Sequence, residues 1–229
     1  MPIDFFDSIA SGYDQTNRIL SLGMDGIWRR KMLAHLPAEN GLRVLDVATG
    51  TGDVAILLAA DLRVVEVVGI DVSEKMLQRV CQKKSAHDFS DKIHLVQGSG
   101  LLLSFPDKSF DVVTIGFGVR NFSDLMQGLK EAFRVLKPAG KIIILEFSIP
   151  AAFMLRAMYR LYLQHFVPLI GGLCTGQRFA YNFLVRSILV FPDGYRFMRM
   201  LVQVGFFSTG NQGLLGGGVT IYSAVREQE

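Results

Sequence analysis

Short apolar runs that alternate with helical stretches are the feature that most restricts how this chain can fold. Five runs of apolar and β-branched residues lie at positions 43–47, 64–71, 93–97, 110–116 and 141–147. Runs without polar alternation suit parallel strands that are covered on both faces. The segments between them are helical in pattern, so the sequence predicts a doubly wound α/β sheet with right-handed crossovers.

The clearest helix signal in this region begins next to Asp124. Apolar residues then recur at helical spacing as far as Leu136, and the Lys-Pro-Ala-Gly sequence at 137–140 predicts where the helix ends. Asp124 and Gln127 have the spacing of a capping box, which strengthens the predicted start of the helix.

Both ends of the chain differ from this alternating core. Residues 1–36 are expected to form a helical segment, and residues 151–175 a very apolar helix. Two late runs, at 204–208 and 219–225, predict a hairpin at one edge of the sheet, joined through a glycine-rich connection. The expected fold is therefore a seven-stranded, mostly parallel sheet with a C-terminal antiparallel hairpin. The connection contains glycines at 213 and 216–218.

Composition and charge exclude several classes of protein. The 229 residues are 50% hydrophobic and carry a net charge of +3, which excludes a disordered chain and does not indicate a nucleic-acid partner. Cys81 and Cys174 are the only cysteines, too few for a disulfide scaffold or a cysteine zinc site. Residues 1–4 lack the pattern of a secretory signal, so a cytoplasmic location is expected.

A glycine loop follows the first predicted strand and precedes a helix. It lies at 44–53, and Asp71 ends the next strand, where a carboxylate can accept both hydroxyls of a ribose. Two ligands suit this arrangement. A dinucleotide would use Gly50, Gly52 and Ala55 as a G-x-G-x-x-A fingerprint. S-adenosylmethionine would place its amino-acid end on the loop and its ribose on Asp71; a tight turn without any ligand is the plainer interpretation.

The later part of the chain favours S-adenosylmethionine. The Phe-Asp-Val-Val sequence at 110–113, followed by Arg-Val-Leu-Lys-Pro-Ala-Gly at 134–140, is typical of the methyltransferase fold, and so is the C-terminal hairpin. No linker or repeat interrupts the chain. A single methyltransferase domain over 1–229 is therefore expected, with 37–150 as its cofactor-binding core and 151–229 on the substrate side.

The chain resembles the menaquinone/ubiquinone-biosynthesis C-methyltransferase family, which has a Rossmann-like class I fold. The resemblance runs nearly end to end, and its most specific parts are Phe-Gly-Val-Arg-Asn at 117–121 and Leu-Glu-Phe-Ser at 145–148. Further matching phrases lie at 6–10, 13–14, 21–24, 28–30, 45–53, 105–111 and 187–193.

The resemblance implies S-adenosyl-L-methionine as the cofactor and no metal. Thr51 and Asp71 match cofactor contacts of the family, and Met76 lies where an apolar side chain covers the adenine. Ser99 and Gly100 occupy positions where the family has Asp or Asn followed by Ala, and Leu101 stands where it often has Glu. The cofactor-binding residues expected from the loop and the resemblance are Asp46, Gly50, Thr51, Gly52, Asp71, Met76, Ser99, Gly100 and Gly116.

Arg120 is the best candidate for a catalytic side chain. For a quinol ring carbon to attack a methyl group, a hydroxyl must become a phenolate, and a guanidinium that stays protonated can stabilise it. Asn121 is expected to orient the ring, and Tyr13 to close over it. The general base is left open between water, Asp14 and His165. The plainer interpretation of Arg120 is a surface ion pair.

The apolar stretch at 151–167 accounts for part of the high mean hydropathy of +0.32. In a helix its polar groups Arg156, Arg160 and Gln164 fall on one narrow stripe. Such a helix packs in a core or a homo-oligomer, or lines the site of a prenyl tail. Polar residues interrupt the apolar stretch too often for it to span a bilayer. Peripheral contact with a membrane surface is expected instead, because a prenyl tail is dissolved in the bilayer.

The sequence therefore predicts an S-adenosylmethionine-dependent C-methyltransferase that acts on a prenylated quinol. Demethylmenaquinol is the favoured substrate over a ubiquinone precursor. Two alternatives remain from the residues alone: a nicotinamide-dependent oxidoreductase and a non-catalytic partner subunit with a methyltransferase fold.

Overall fold

The computed structural model describes residues 13–176 and 178–228, and a seven-stranded sheet runs through them. The strands are β1 (Leu42–Val47), β2 (Val64–Asp71), β3 (Ile93–Gln97), β4 (Phe110–Gly116), β5 (Leu136–Phe147), β6 (Phe206–Leu214) and β7 (Val219–Arg226).

The order of the strands across the sheet is β3-β2-β1-β4-β5-β7-β6. The first five strands pair in parallel, β7 lies antiparallel to β5, and β6 lies antiparallel to β7. This confirms the predicted mixed sheet and its C-terminal hairpin. The strand order reverses direction between β1 and β4, and ligands of such sheets bind beyond the carboxyl ends of the strands at that point.

Helices cover both faces of the sheet. They are α1 (Tyr13–Leu20), α2 (Asp25–Leu33), α3 (Asp53–Ala60), α4 (Glu74–Lys84), α5 (Leu125–Val135), α6 (Phe153–Leu161), α7 (Val167–Thr175), α8 (Arg178–Val190) and α9 (Tyr195–Val204).

The sheet has a separate apolar core on each face because successive strand residues point to opposite sides. Leu45 and Val113 pack toward α5 and α9, whereas their neighbours Val44 and Val112 pack toward α2 and α3. Both sets are fully buried. This explains why the strands read as continuous apolar runs.

The predicted helix at 151–175 is wrong as a single element. A π-helical turn at Tyr162–Phe166 separates α6 from α7. Pro168 has no N–H to donate to the carbonyl of Gln164, which accounts for a change of register just before it. The predicted polar stripe of Arg156, Arg160 and Gln164 does not form one face. Arg156 folds back and donates hydrogen bonds to the carbonyls of Pro150 and Ala151, whereas Gln164 belongs to the π-helical turn.

Other boundaries also shift. The helix that starts after Asp124 ends at Val135, and β5 begins at once, because Leu136 pairs with Phe110 before a register shift. Only half of the predicted capping box forms. Asp124 accepts a hydrogen bond from the Gln127 backbone N–H, whereas the Gln127 side chain donates to the carbonyl of Leu101.

The predicted late strand at 204–208 starts and ends further along the chain. Val204 closes α9, and β6 continues to Leu214, so Gly213 belongs to the strand and not to the connection. The reason is the pairing with β7, which extends to Leu214 opposite Val219.

Residues 1–12 of the expected N-terminal helical segment lie outside the described residues, and α1 and α2 confirm helices in the part that follows. Within 13–176 and 178–228, we find no helix of the length and apolarity that crossing a bilayer requires.

Candidate active site

The loops after β1 and β4 meet where the strand order reverses. Asp46 near the end of β1 pairs in register with Thr114 of β4. The Asp46 carboxylate is fully buried and accepts hydrogen bonds from the hydroxyls of Thr114 and Thr49, both at 2.6 Å. Burial raises its pKa to about 6. Asp46 does not line the cavity described below, so it positions the glycine loop against β4.

The glycine loop holds Asp71 in a fixed orientation. Gly50 has a φ of +55° and donates its backbone N–H to Asp71 Oδ2 over 2.8 Å. The backbone N–H of Ser73 donates to Oδ1 over 3.0 Å. Asp71 also lines the cavity described below.

Gly52 has a packing role. Its φ is +82°, and a Cβ added there would lie 2.5 Å from Val80 Cγ1, so only glycine lets the loop pass α4 at this distance. Gly52 does not line the cavity.

Thr51 lines the cavity, but its hydroxyl already has a partner. It donates to Asp14 Oδ1 of α1 over 2.5 Å, and Lys83 Nζ lies 2.6 Å from Asp14 Oδ2. Lys83 also pairs with Asp53 at 2.7 Å. Asp14, one of the three candidates for the general base, is therefore engaged in holding α1 against the glycine loop.

A cavity of about 650 Å³ extends from these loops. Met76, Ser99, Gly100 and Gly116, four of the predicted cofactor-binding residues, all line it. Met76 is almost completely buried and packs with side chains of α7 and α8. The Ser99 hydroxyl accepts a hydrogen bond from the Leu101 backbone N–H at 3.1 Å.

Gly100 and Gly116 are packed closely against other side chains. A Cβ at Gly116 would lie 2.8 Å from Val54, and one at Gly100 would lie 2.8 Å from Val47 and 2.9 Å from Phe122. A side chain at either position would therefore overlap a neighbouring side chain.

Arg120 follows β4 and also lines the cavity. Its Nη1 lies 2.8 Å from Oε1 of Glu146, and the side chains of the two residues are 5% and 0% exposed. The guanidinium carbon lies 5.3 Å from the centre of the Phe147 ring. Arg120 Nε is buried and has no hydrogen-bond partner among the described residues. The plainer interpretation of a surface ion pair is wrong, because this pair lies inside the protein.

Glu146 is a functional candidate that the sequence analysis did not single out. Its carboxylate accepts hydrogen bonds from the backbone N–H groups of Phe147, at 2.8 Å, and Arg120, at 3.3 Å. Burial raises its pKa, while the Arg120 guanidinium opposes that rise. The signal was a carboxylate directly after the apolar run at 142–145, since an unpaired carboxylate is too costly to bury.

Arg29 is a second residue that the sequence analysis missed. Its guanidinium is mostly buried, lines the cavity and pairs with Asp25 at 2.5 Å and with Asp53 at 3.6 Å. It provides a cation close to the glycine loop. The only sequence signal for Arg29 was its place in the Trp-Arg-Arg motif at 28–30, which matches the family.

The remaining catalytic candidates have different outcomes. Asn121 lines the cavity. The Tyr13 side chain lies outside the described residues. His165 is exposed on the π-helical turn and does not line the cavity, so the structure gives it no place as the general base.

Comparison with known proteins gives the family. The model of the ubiE/COQ5 methyltransferase family matches residues 3–226. The chain belongs to this family. A demethylmenaquinone methyltransferase of Deinococcus radiodurans is 47% identical over 203 residues, which cover 89% of this chain and 83% of that protein. The ubiquinone/menaquinone biosynthesis C-methyltransferase UbiE of Geotalea uraniireducens is 41% identical over 220 residues, covering 96% of this chain and 93% of that one.

Solved structures show the same fold at low sequence identity. A SAM-dependent methyltransferase of Thermotoga maritima, described as a possible histamine N-methyltransferase, has a TM-score of 0.70 at 16% identity, covering 98% of this chain and 99% of that one. The phosphoethanolamine N-methyltransferase 2 of Haemonchus contortus, solved with S-adenosyl-L-methionine, has a TM-score of 0.61 at 16% identity and covers 87% of this chain and 53% of that one. This chain, a member of the ubiE/COQ5 family, is thus a methyltransferase with the Rossmann-like fold.

Proposed function

We propose that this methyltransferase transfers a methyl group from S-adenosyl-L-methionine to a ring carbon of a prenylated quinol. One observation carries the proposal: a single cavity joins the glycine loop and Asp71 to an apolar lining from α6–α8, and Arg120 faces the same space. A polar cofactor and an apolar prenylated quinol would therefore meet inside one cavity. The names of the relatives support a quinol of menaquinone or ubiquinone biosynthesis.

The residues at the polar end suit S-adenosyl-L-methionine. Asp71 would accept the ribose hydroxyls, and Met76 would cover the adenine. Arg29 would pair with the carboxylate of the amino-acid end, and the Asp53 carboxylate beside it would favour the ammonium group. The cofactor supplies an electrophilic methyl group whose leaving thioether is neutral.

Arg120 would act on the quinol oxygen. The guanidinium lines the cavity and can donate a hydrogen bond to that oxygen, and its fixed charge favours the phenolate over the neutral hydroxyl. The hydroxyl proton passes to water, and the electron pair of the oxygen makes the adjacent ring carbon nucleophilic. That carbon bonds the methyl group as the bond from sulfur to the methyl group breaks, and loss of the hydrogen on the same carbon as a proton to water then restores the aromatic ring. Glu146 keeps the guanidinium in place. Asn121 would hold the ring for in-line attack.

Substitution of Arg120 by alanine tests this role. Removing one such donor lowers kcat by roughly 10²–10³-fold. The dissociation constant of S-adenosylhomocysteine, measured by isothermal titration calorimetry, is expected to stay within about threefold because Arg120 acts on the other substrate. An equal loss of cofactor binding would show that Arg120 is structural. Binding of NAD instead of S-adenosylhomocysteine by the unmodified protein would favour the oxidoreductase alternative.

The substrate preference is tested with two quinols. We expect transfer of a labelled methyl group to a short-chain demethylmenaquinol, and slower transfer to the benzoquinol precursor of ubiquinone. The demethylmenaquinone methyltransferases among the relatives support this order. Faster methylation of the benzoquinol would reverse the assignment. No transfer to either quinol would favour a non-catalytic partner subunit.

A further inference from the structure

We propose that the outer faces of α6–α8 form a docking face for an anionic lipid bilayer. The docking face is defined by Phe153, Met154, Leu161, Leu173, Phe179 and Val190. It is an extension of the proposed function, because a bilayer is where a prenylated quinol is dissolved. Lipid binding by this face does not depend on methyl transfer.

The apolar side chains of the docking face are unusually accessible. Phe153, Met154, Leu173, Phe179 and Val190 are between 74% and 81% exposed. Single exposed apolar residues are ordinary on a protein surface. Here they are concentrated in three consecutive helices, and such concentrations mark contact surfaces.

The charges of this segment suit a negatively charged partner. No Asp or Glu occurs between 151 and 192, whereas the segment contains Arg156, Arg160, Arg178 and Arg186. The last three are exposed. Arginines interspersed with large apolar side chains are the composition of helices that lie in the headgroup region of a bilayer.

On α8 the two kinds of residue share one face. Phe179, Asn182, Arg186 and Val190 follow at helical spacing, and all four are exposed. An apolar protein partner would leave the Arg186 guanidinium without a counter-charge, whereas lipid phosphates provide one.

The docking face is continuous with the mouth of the cavity. Leu22, Leu155 and Met158 line the cavity and are also exposed to solvent, at 86%, 39% and 66%. Met158 is on the same side of α6 as Met154 and Leu161. A prenylated substrate could then pass from the bilayer into the cavity along an apolar rim.

Vesicle flotation tests the proposal with the full chain and quinol-free vesicles. One set contains phosphatidylglycerol with phosphatidylcholine, and the other contains phosphatidylcholine alone. We expect flotation with the anionic set. The Phe153→Ser/Met154→Ser variant should partition about tenfold less. The Arg160→Gln/Arg186→Gln variant should lose about fivefold for each arginine removed, and only on anionic vesicles.

Matched control variants separate the docking face from general effects. Leu62→Ser/Val65→Ser removes two exposed apolar residues at the amino end of β2, and Lys75→Gln/Lys130→Gln removes two exposed charges on α4 and α5. Both should float like the unmodified protein. Equal flotation of the docking-face and control variants would overturn the proposal, and so would absence of flotation of the unmodified protein with the anionic vesicles.

A second copy of the chain is the competing occupant of this face. In that case the unmodified protein would sediment as an oligomer, the Phe153→Ser/Met154→Ser variant would sediment as a monomer, and neither would float. These three results together would make the face a subunit interface and overturn the proposal. Methylation of a short-chain quinol without vesicles is measured separately. Its absence in the unmodified protein would contradict the proposed function and leave the flotation result intact.

Discussion

Replacing Glu146 by glutamine tests whether a buried ion pair holds Arg120 in the cavity. The substitution keeps the shape of the side chain but leaves the guanidinium charge, which is 5% exposed, without its counter-charge. Removing one partner of a buried pair destabilises a protein by about 3–5 kcal/mol. For a chain of this size that corresponds to a fall in Tm of roughly 6–20 °C.

Thermal and urea unfolding of Glu146→Gln and a matched control give the measurement. The control is Glu66→Gln, which breaks the Arg43–Glu66 pair, in which the two side chains are 44% and 27% exposed. It should change the free energy of unfolding by less than about 1 kcal/mol. A second variant, Glu146→Gln with Arg120→Met, should recover most of the lost stability, because replacing the whole pair removes the isolated charge. Its methyl transfer should stay low.

The reasoning fails if Glu146→Gln unfolds like Glu66→Gln. That result would mean that Glu146 carries a proton in the folded protein, so that glutamine replaces a neutral group. Burial does raise the pKa of Glu146. Ionisation at neutral pH therefore depends on the Arg120 guanidinium and on the two backbone N–H donors.

Three further outcomes are expected. Burial raises the pKa of Asp46 from 3.8 to about 6, so the folded state binds this proton more tightly than the unfolded chain. Relative to Asp46→Asn, unfolding free energies should therefore fall by up to about 3 kcal/mol as the pH rises from about 4 to about 6; parallel pH profiles would contradict this. Gly52→Ala should lower the unfolding free energy by about 1–3 kcal/mol more than Gly50→Ala, as measured in urea, because only Gly52 meets Val80. Asp71→Asn should weaken S-adenosylhomocysteine binding by roughly 10–100-fold in calorimetry, since charged hydrogen bonds are lost; unchanged affinity would remove Asp71 from the ribose site.

The strands of the parallel core could be predicted from sequence because their pattern is local. β2, β3 and β4 have the predicted bounds, since apolar runs between turns carry that information within a few residues. Bounds that depend on a partner could not be predicted in this way. The length of β6 is set by pairing with β7, and the early start of β5 is set by pairing with Phe110.

The candidate site, too, could be predicted where it depends on local sequence and not where it depends on distant residues. The glycine loop, Asp71 and Met76 are close to one another along a predictable strand–loop–helix order, and all contribute to the cavity or to its wall. The partner of Arg120 comes from a strand 26 residues further along the chain. A sequence pattern does not reveal which of the charged residues is buried beside it.

By itself, the sequence determined the doubly wound core, the glycine loop and the apolar character of residues 151–175, because these depend on spacing and composition. Only the tertiary structure decided that Asp46 braces the loop, that Glu146 pairs with Arg120, and which apolar side chains of α6–α8 line the cavity and which are exposed. Each of these depends on how segments that are far apart in the chain pack together in the sheet and its helices.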